Sequence, residues 1–315
     1  MKNNNNMGMR RLSPDEADHA LRAVGENNPQ IVVVNADICV TSCSKEFVKR
    51  FPERSFEVGI AEQNLVSFAA GLAHEGFVPY AFTRTVFMSM RACEQVRTDV
   101  CYGKVPVRLV AQGAGYSSGT SGATHCSLED VAIMTSIGGL TVLEPSDVHM
   151  LALMLSTTAD HPGPVYIRYG GMTSKESFRD EDFRLGKALI RREGDDGAFI
   201  VSGNTVGFAM EAAQQLKQDL GANVRVVDIH TLKPIDVDAV LGAGKTGCVV
   251  AAQDHNKTGG LGSLCASVIL EAGMSCKFTV RGCPDRFVPL ATPAFLYKEN
   301  GYDAHGLYEA MKALL

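Results

Sequence analysis

Phe56-Glu-Val-Gly-Ile-Ala-Glu-Gln-Asn-Leu-Val-Ser-Phe-Ala-Ala-Gly-Leu-Ala-His-Glu-Gly76 is the stretch on which the reading of the chain turns. A short β-prone run turns at Gly59 and continues as a helix. Ile60, Leu65, Phe68, Ala69 and Leu72 recur at helical spacing, which predicts one apolar stripe. Gly76 stands where a left-handed C-terminal cap is expected. Glu62 falls in the first helical turn among mostly apolar neighbours. A carboxylate there complements the helix dipole, which alone explains many such residues.

Outward from this helix, apolar runs and helical patterns alternate. Strands are expected over residues 31–35, 55–58, 78–82, 105–111, 141–143 and 165–169, and helices over 88–102 and 148–155. Ser13, Pro14 and Glu16 read as the N-cap, first position and capping-box partner of a leading helix. This alternation implies βαβ units and a parallel sheet covered on both faces. Such sheets bind ligands outside the carboxyl ends of their strands. Asp37, Glu62, Phe82, the loop over 112–125 and Arg168 all follow strand ends, so one edge is expected to gather them. A second α/β pattern follows, with strands over 198–202, 224–229, 248–252 and 278–281 and helices over 205–218, 261–272 and 307–315. The fold class is therefore α/β in two domains, residues 8–172 and 195–315, joined by a polar linker over 173–194 with a short extended passage.

At 315 residues each domain is large enough for its own core. Thirty Lys and Arg against 35 Asp and Glu leave a net charge of −5, so neither nucleic acid nor an anionic membrane is an expected partner. The longest apolar runs are far too short to span a bilayer. Met1-Lys-Asn-Asn-Asn-Asn-Met-Gly-Met-Arg-Arg11 lacks an apolar signal core, and a cytoplasmic location is expected. The nine cysteines are odd in number, and Cys39 and Cys43 find no second pair or nearby His to complete a zinc set. Reduced thiols used in packing are expected.

Val58-Gly-Ile-Ala-Glu-Gln-Asn64, followed by an Ala-Ala-Gly-Leu-Ala helix, resembles the pyrimidine-binding domain of the thiamine-diphosphate enzymes of the transketolase family. The resemblance runs from about Arg10 to Leu315, specific in the first half and looser in the second. It implies a pyrimidine-binding fold followed by a transketolase C-terminal domain, as in the C-terminal subunits of split transketolases. The family's diphosphate-binding domain carries a Gly-Asp-Gly segment, and here only Gly194-Asp-Asp-Gly197 approaches it, as a turn. Thiamine diphosphate is thus expected to be shared with an N-terminal partner subunit, which holds the diphosphate and its Mg2+ or other divalent ion. This chain is expected to hold no metal of its own. An α2β2 assembly is implied.

In that family the Glu matched by Glu62 is the essential acid against the aminopyrimidine. A carboxyl group on the ring nitrogen opposite the exocyclic amine promotes the imino form, which takes the proton from the thiazolium carbon. Burial disfavours a charged carboxylate and suits a proton-sharing role. The cofactor makes the bonds, while the protein tunes and positions. An aromatic is expected against the pyrimidine; Phe87 matches best and Phe82 less well, with Thr85, Met88 or Arg91 where a second aromatic is usual. Asp37 matches an Asp near the cofactor, and reads equally as a helix N-cap.

Gly119-Thr-Ser-Gly-Ala-Thr-His-Cys126 resembles the family's Gly-Glu-Asp-Gly-Pro/Ala-Thr-His-Gln. His125 matches the His lining the channel to the thiazolium. Both acids are lost, at Thr120 and Ser121, and Gly113 replaces an expected substrate-contacting His. Arg168 matches the phosphate-binding Arg, whose fork suits a phosphate. Arg10 and Thr41 match further phosphate contacts. In the second domain, Gln253-Asp-His-Asn-Lys-Thr-Gly-Gly-Leu-Gly262 resembles the family's strand–loop–helix; it lacks dinucleotide spacing, and His255 receives no role.

The resemblance implies two-carbon ketol transfer between sugar phosphates, with Glu62 and His125 as the catalytic pair. The altered loop implies a substrate other than the standard donor and acceptor of full-length transketolases. Competing readings are the β subunit of a 2-oxo acid dehydrogenase, a 1-deoxyxylulose-5-phosphate-synthase-like enzyme, and a non-catalytic scaffold paralogue. The His125 loop and Arg168 weigh against the first, and Glu62 against the last.

Overall fold

A computed structural model describes residues 15–170 and 178–315. The expectations for Arg10, Ser13 and Pro14 lie outside the described residues. The first half runs α1 (Asp15–Asn27), β1 (Ile31–Asn35), α2 (Lys45–Arg50), β2 (Ser55–Glu57), α3 (Glu62–His74), β3 (Val78–Arg84), α4 (Cys93–Gln95), β4 (Arg108–Gln112), α5 (Asp130–Ser136), β5 (Thr141–Leu143), α6 (Val148–Thr157) and β6 (Val165–Tyr169). The second half runs β7 (Leu189–Arg192), β8 (Gly197–Val201), α7 (Thr205–Leu220), β9 (Val224–Asp228), β10 (Thr231–Lys233), α8 (Val237–Gly244), β11 (Cys248–Asn256), α9 (Leu261–Glu271), β12 (Lys277–Cys283), α10 (Pro293–Glu299) and α11 (Ala304–Lys312).

β1 reads Ile-Val-Val-Val-Asn and is buried throughout, as a strand covered on both faces must be. It pairs parallel with β2 on one side and β3 on the other, and β4, β6 and β5 extend the sheet in parallel. The second sheet is ordered β12-β11-β8-β9-β7, with β7 antiparallel at its edge. The halves are not independent. β10 crosses from the second half to pair antiparallel with β5, with Thr231 opposite Leu143. Three residues carry no readable period, so this strand had no sequence signal. One apolar core runs from Val34, Leu65 and Val142 into Ile200, Val227 and Leu232.

Two expectations are corrected. α3 buries Glu62, Leu65, Val66, Ala69, Ala70 and Ala73, whereas Ile60 and Phe68 face outward at 72% and 37% exposure. The buried stripe mixes Leu65 and Val66 with Ala69, Ala70 and Ala73, and Phe68 instead packs edge-on against Phe56. The single helix expected over 88–102 is interrupted. π-turns over Phe87–Arg91 and Val96–Tyr102 flank α4. A π-turn carries an extra residue per turn and commonly sits at functional sites.

Candidate active site

The turn after β2 aims the start of α3 into the molecule. Glu57 Oε1 accepts from the backbone N–H groups of Asp37 and Gly59, both at 2.8 Å, tying the ends of β1 and β2 together. Glu62 follows at the first position of α3 and is 2% exposed. Its Oε2 accepts from Arg91 Nη1 at 2.6 Å. The Arg91 guanidinium lies 4.3 Å from the centroid of the Phe87 ring, so the first π-turn stacks cation on aromatic. The edge of His125 meets the same ring at 5.6 Å. Glu62, Arg91, Phe87 and His125 therefore form one continuous group, assembled from α3, the π-turn and the loop after β4. His125 Nδ1 and Thr124 Oγ1 are 2.9 Å apart.

The loop that carries His125 is held by the second domain. Asp254, at the end of β11, is buried and accepts from the Tyr116 N–H at 3.0 Å, the Tyr297 hydroxyl at 2.5 Å and the Tyr302 hydroxyl at 3.2 Å. Burial pushes its carboxyl up to about 6, although the Tyr297 hydroxyl pulls it back. Gly115 has φ +59, and a Cβ there would lie 2.0 Å from the Asp254 carboxylate, so only glycine fits that approach. Farther along, the Gly119 carbonyl accepts from the Ala291 N–H at 3.2 Å.

Beside this loop a cleft of about 480 Å³ opens at the carboxyl ends of β3, β4 and β6. Thr41, Arg84, Gln112 and Gly113 line one side, and Ser118, Thr120 and Ser121 another. Thr41 thus lies in the cleft, where its carbonyl accepts from Gln112 Nε2 at 2.8 Å. The three altered loop positions, Gly113, Thr120 and Ser121, all face the same space.

Arg168 does not. The expectation that its fork meets a phosphate at the sheet edge is corrected: the side chain is wholly buried. Side chains alternate along β6, so Ile167 and Tyr169 join the core beneath α6, while Tyr166 and Arg168 point the other way. There Arg168 Nε donates to Asp130 at 2.7 Å, Nη1 to Glu144, and Nη2 to the Asp254 carbonyl at 3.1 Å. Glu144 also accepts from Ser202 and Gln253 of the second domain, at 2.7 and 2.6 Å. Burial opposes the charge, yet Asp130 and Glu144 outweigh it and hold Arg168 protonated well above its ordinary range. Arg168 is the centre of the interdomain lock.

The other sequence candidates separate. Phe82 is fully buried and shares a core with Tyr80, Val110 and Ile167, because β3 turns it away from α3; it is a core residue. Asp37 is exposed with φ 54, and no helix begins there: α2 starts after Ser44, so the N-cap reading is also corrected. Among the described residues no hydrogen bond or ion pair joins its side chain to Glu62, whose partner is Arg91. His255 is buried; Nε2 accepts from the Ala132 N–H at 3.4 Å and Nδ1 donates to the Asn256 carbonyl at 2.9 Å, so it joins α5 to β11. Burial lowers its pKa, in keeping with a neutral ring. Sequence reasoning weighs Arg91 only as a missing aromatic and passes over Arg84. The signals are present, Arg91 one turn beyond Phe87 and Arg84 at a strand end.

A family model for the transketolase pyrimidine binding domain matches residues 15–173, and one for the transketolase C-terminal domain matches residues 186–307. The chain is 37% identical to a 6-deoxy-6-sulfo-D-fructose transketolase subunit of Clostridium sp. (strain MSTE9), over 90% of this chain and 88% of that one. It is 35% identical to an apulose-4-phosphate transketolase subunit of Actinobacillus succinogenes, over 92% and 94%. A solved structure of a split gene transketolase, an inactive beta4 tetramer, superposes with a TM-score of 0.86 at 36% identity, covering 95% of this chain and 97% of the other.

Proposed function

The chain belongs to the transketolase family as a C-terminal subunit of the split type, and on that premise we propose that Glu62, Phe87 and His125 form one side of a thiamine-diphosphate site that a partner chain completes. The observation that carries this reading is the continuous contact from Glu62 through Arg91 and Phe87 to His125. The residues fit a polar heterocycle. Among the described residues Glu62 Oε1 has no partner, Phe87 is only half buried, and the buried hydroxyls of Thr83 and Thr85 are unpaired at the end of β3.

Thiamine diphosphate supplies the nucleophilic carbon for two-carbon transfer. Glu62 would hydrogen-bond a pyrimidine ring nitrogen through Oε1, the oxygen that Arg91 leaves free among the described residues. Arg91 fixes the carboxylate's other oxygen and so its orientation. Phe87 would give the ring an apolar neighbour. His125, which lies against Phe87, would hydrogen-bond the oxygen of the reacting sugar. Thr41, which lines the cleft, is the candidate contact to substrate, and Asp37, whose backbone N–H is held by Glu57 at the end of β1, stays the candidate contact to cofactor.

The diphosphate and its divalent ion fall to the partner, because the only near match to the family's binding segment here is the turn at Gly194–Gly197. We assign the complete enzyme as an α2β2 heterotetramer with sites between unlike chains. The nine free cysteines favour a reducing cytoplasm. The names of the two relatives point to ketoses with an anionic end, one sulfonated and one phosphorylated. Calorimetry with thiamine diphosphate and magnesium tests the shared site. Tight binding is expected only when the diphosphate-binding subunit is added. Submicromolar binding to this chain alone overturns the assignment.

A further inference from the structure

With Arg168 locked inside, one of the two cations expected for the substrate's anionic end is withdrawn from that place, and the cleft offers another. Arg84 is the last residue of β3, on the face that carries Tyr80 and Phe82 but one step beyond the core. It is half buried, yet makes no hydrogen bond or ion pair to the described residues. Arg54 and Arg108, by contrast, donate to several backbone carbonyls. No Asp or Glu is among the described residues lining the cleft, so none of these neutralises Arg84. A guanidinium drawn partly out of water with no counter-charge favours an anion.

The surroundings suit a tetrahedral oxyanion at the end of a polyol. Gly113 has φ +92, and a Cβ there would lie 3.0 Å from Ser118 Oγ and 3.7 Å from Arg84 Nη1. The absent side chain leaves open the space between a hydroxyl and a guanidinium fork. Gln112 is anchored through Nε2 to the Thr41 carbonyl, and its buried Oε1 has no partner, an acceptor suited to a sugar hydroxyl. Across the cleft stand Thr120 and Ser121, in the turn that runs into His125. The volume of about 480 Å³ is that of a small-molecule site. We propose that Arg84, with Gln112 and Ser118 around Gly113, binds the terminal phosphate or sulfonate of the donor ketose and sets specificity for charged substrates. This rests on the transketolase reading above.

Kinetics of the reconstituted pair with a ketose 6-phosphate, the matching 6-sulfonate and the uncharged ketose test it. Arg84→Gln is expected to lower kcat/KM for anionic donors by about 10- to 100-fold, chiefly through KM, shrinking their advantage over the uncharged sugar. Arg84→Lys should restore part of that advantage, since it keeps the charge but not the fork. Loss confined to the sulfonate or to the phosphate identifies which oxyanion the site serves, and either upholds the proposal. An advantage for both anionic donors that survives Arg84→Gln overturns it. If the wild-type pair turns over none of the three, the transketolase reading fails, and calorimetry of the full chain with the same sugars decides the site by itself. Heat from the anionic sugars that vanishes in Arg84→Gln upholds it; equal heats, or none, overturn it.

Discussion

Glu62 and Arg168 are both buried charged residues, and their partners give them opposite tasks. Glu62 has one carboxylate oxygen on Arg91 and the other free among the described residues. Replacing it by Gln keeps size and helix position but removes the proton-sharing carboxyl. Ketol transfer by the assembled enzyme should fall on the order of 10²- to 10⁴-fold with an unchanged melting curve. Near-normal turnover would reduce Glu62 to a helix-dipole residue. Arg168 directs its donors to Asp130, Glu144 and the Asp254 carbonyl. Arg168→Leu leaves two buried carboxylates uncompensated and should cost about 3–5 kcal/mol in urea unfolding. A stability within experimental error of wild type would show that the lock is replaceable. The contrast also marks what sequence can convey. Glu62 sits in a local string, so its setting was legible. The partners of Arg168 are scattered over three elements, and only folding brings them together. Strand alternation turns Phe82 into the core while Phe87 lies beyond the strand in the π-turn, a difference that motif matching does not weigh.

At the scale of elements, the loop after β4 and the π-turn after β3 were legible as segments but not as shapes. The helical pattern over 88–102 is real, yet one extra residue per turn changes which side chains share a face, and so Arg91 comes to lie on Phe87. β10 gave no sign because its pairing with β5 is a tertiary event. The loop's anchor, Asp254, carries a pH prediction. Its pKa in the folded chain is about 6, pushed up by burial from an ordinary carboxylate value near 3.8. Between these values the folded chain keeps a proton that the unfolded chain has released. Stability from this group is therefore fully present below about pH 4 and is lost as pH rises through about 6. Urea midpoints measured from about pH 5 to about pH 7 should decline with pH, and Asp254→Asn should flatten that decline. An unchanged slope in the variant would place the titration elsewhere.

As a whole molecule, the chain is two α/β halves fused through a shared core, the β10 crossover and the Arg168 lock. The fold class was legible because apolar runs alternate with helical stripes along both halves. The fusion was not, since it depends on contacts between residues far apart in sequence. On the proposed reading, the fused halves present one side of a site, a carboxylate, an aromatic and a histidine, with the proposed anion-binding cleft beside them. The Gly-Asp-Gly segment that marks the family's diphosphate domain has no counterpart in the sequence. Two-carbon transfer from a ketose donor, assayed for this chain alone, for its diphosphate-binding partner alone and for the two combined with thiamine diphosphate and magnesium, tests the central claim most directly. Transfer should occur only in the mixture; turnover by this chain alone, or none by the mixture with any charged ketose, would contradict it.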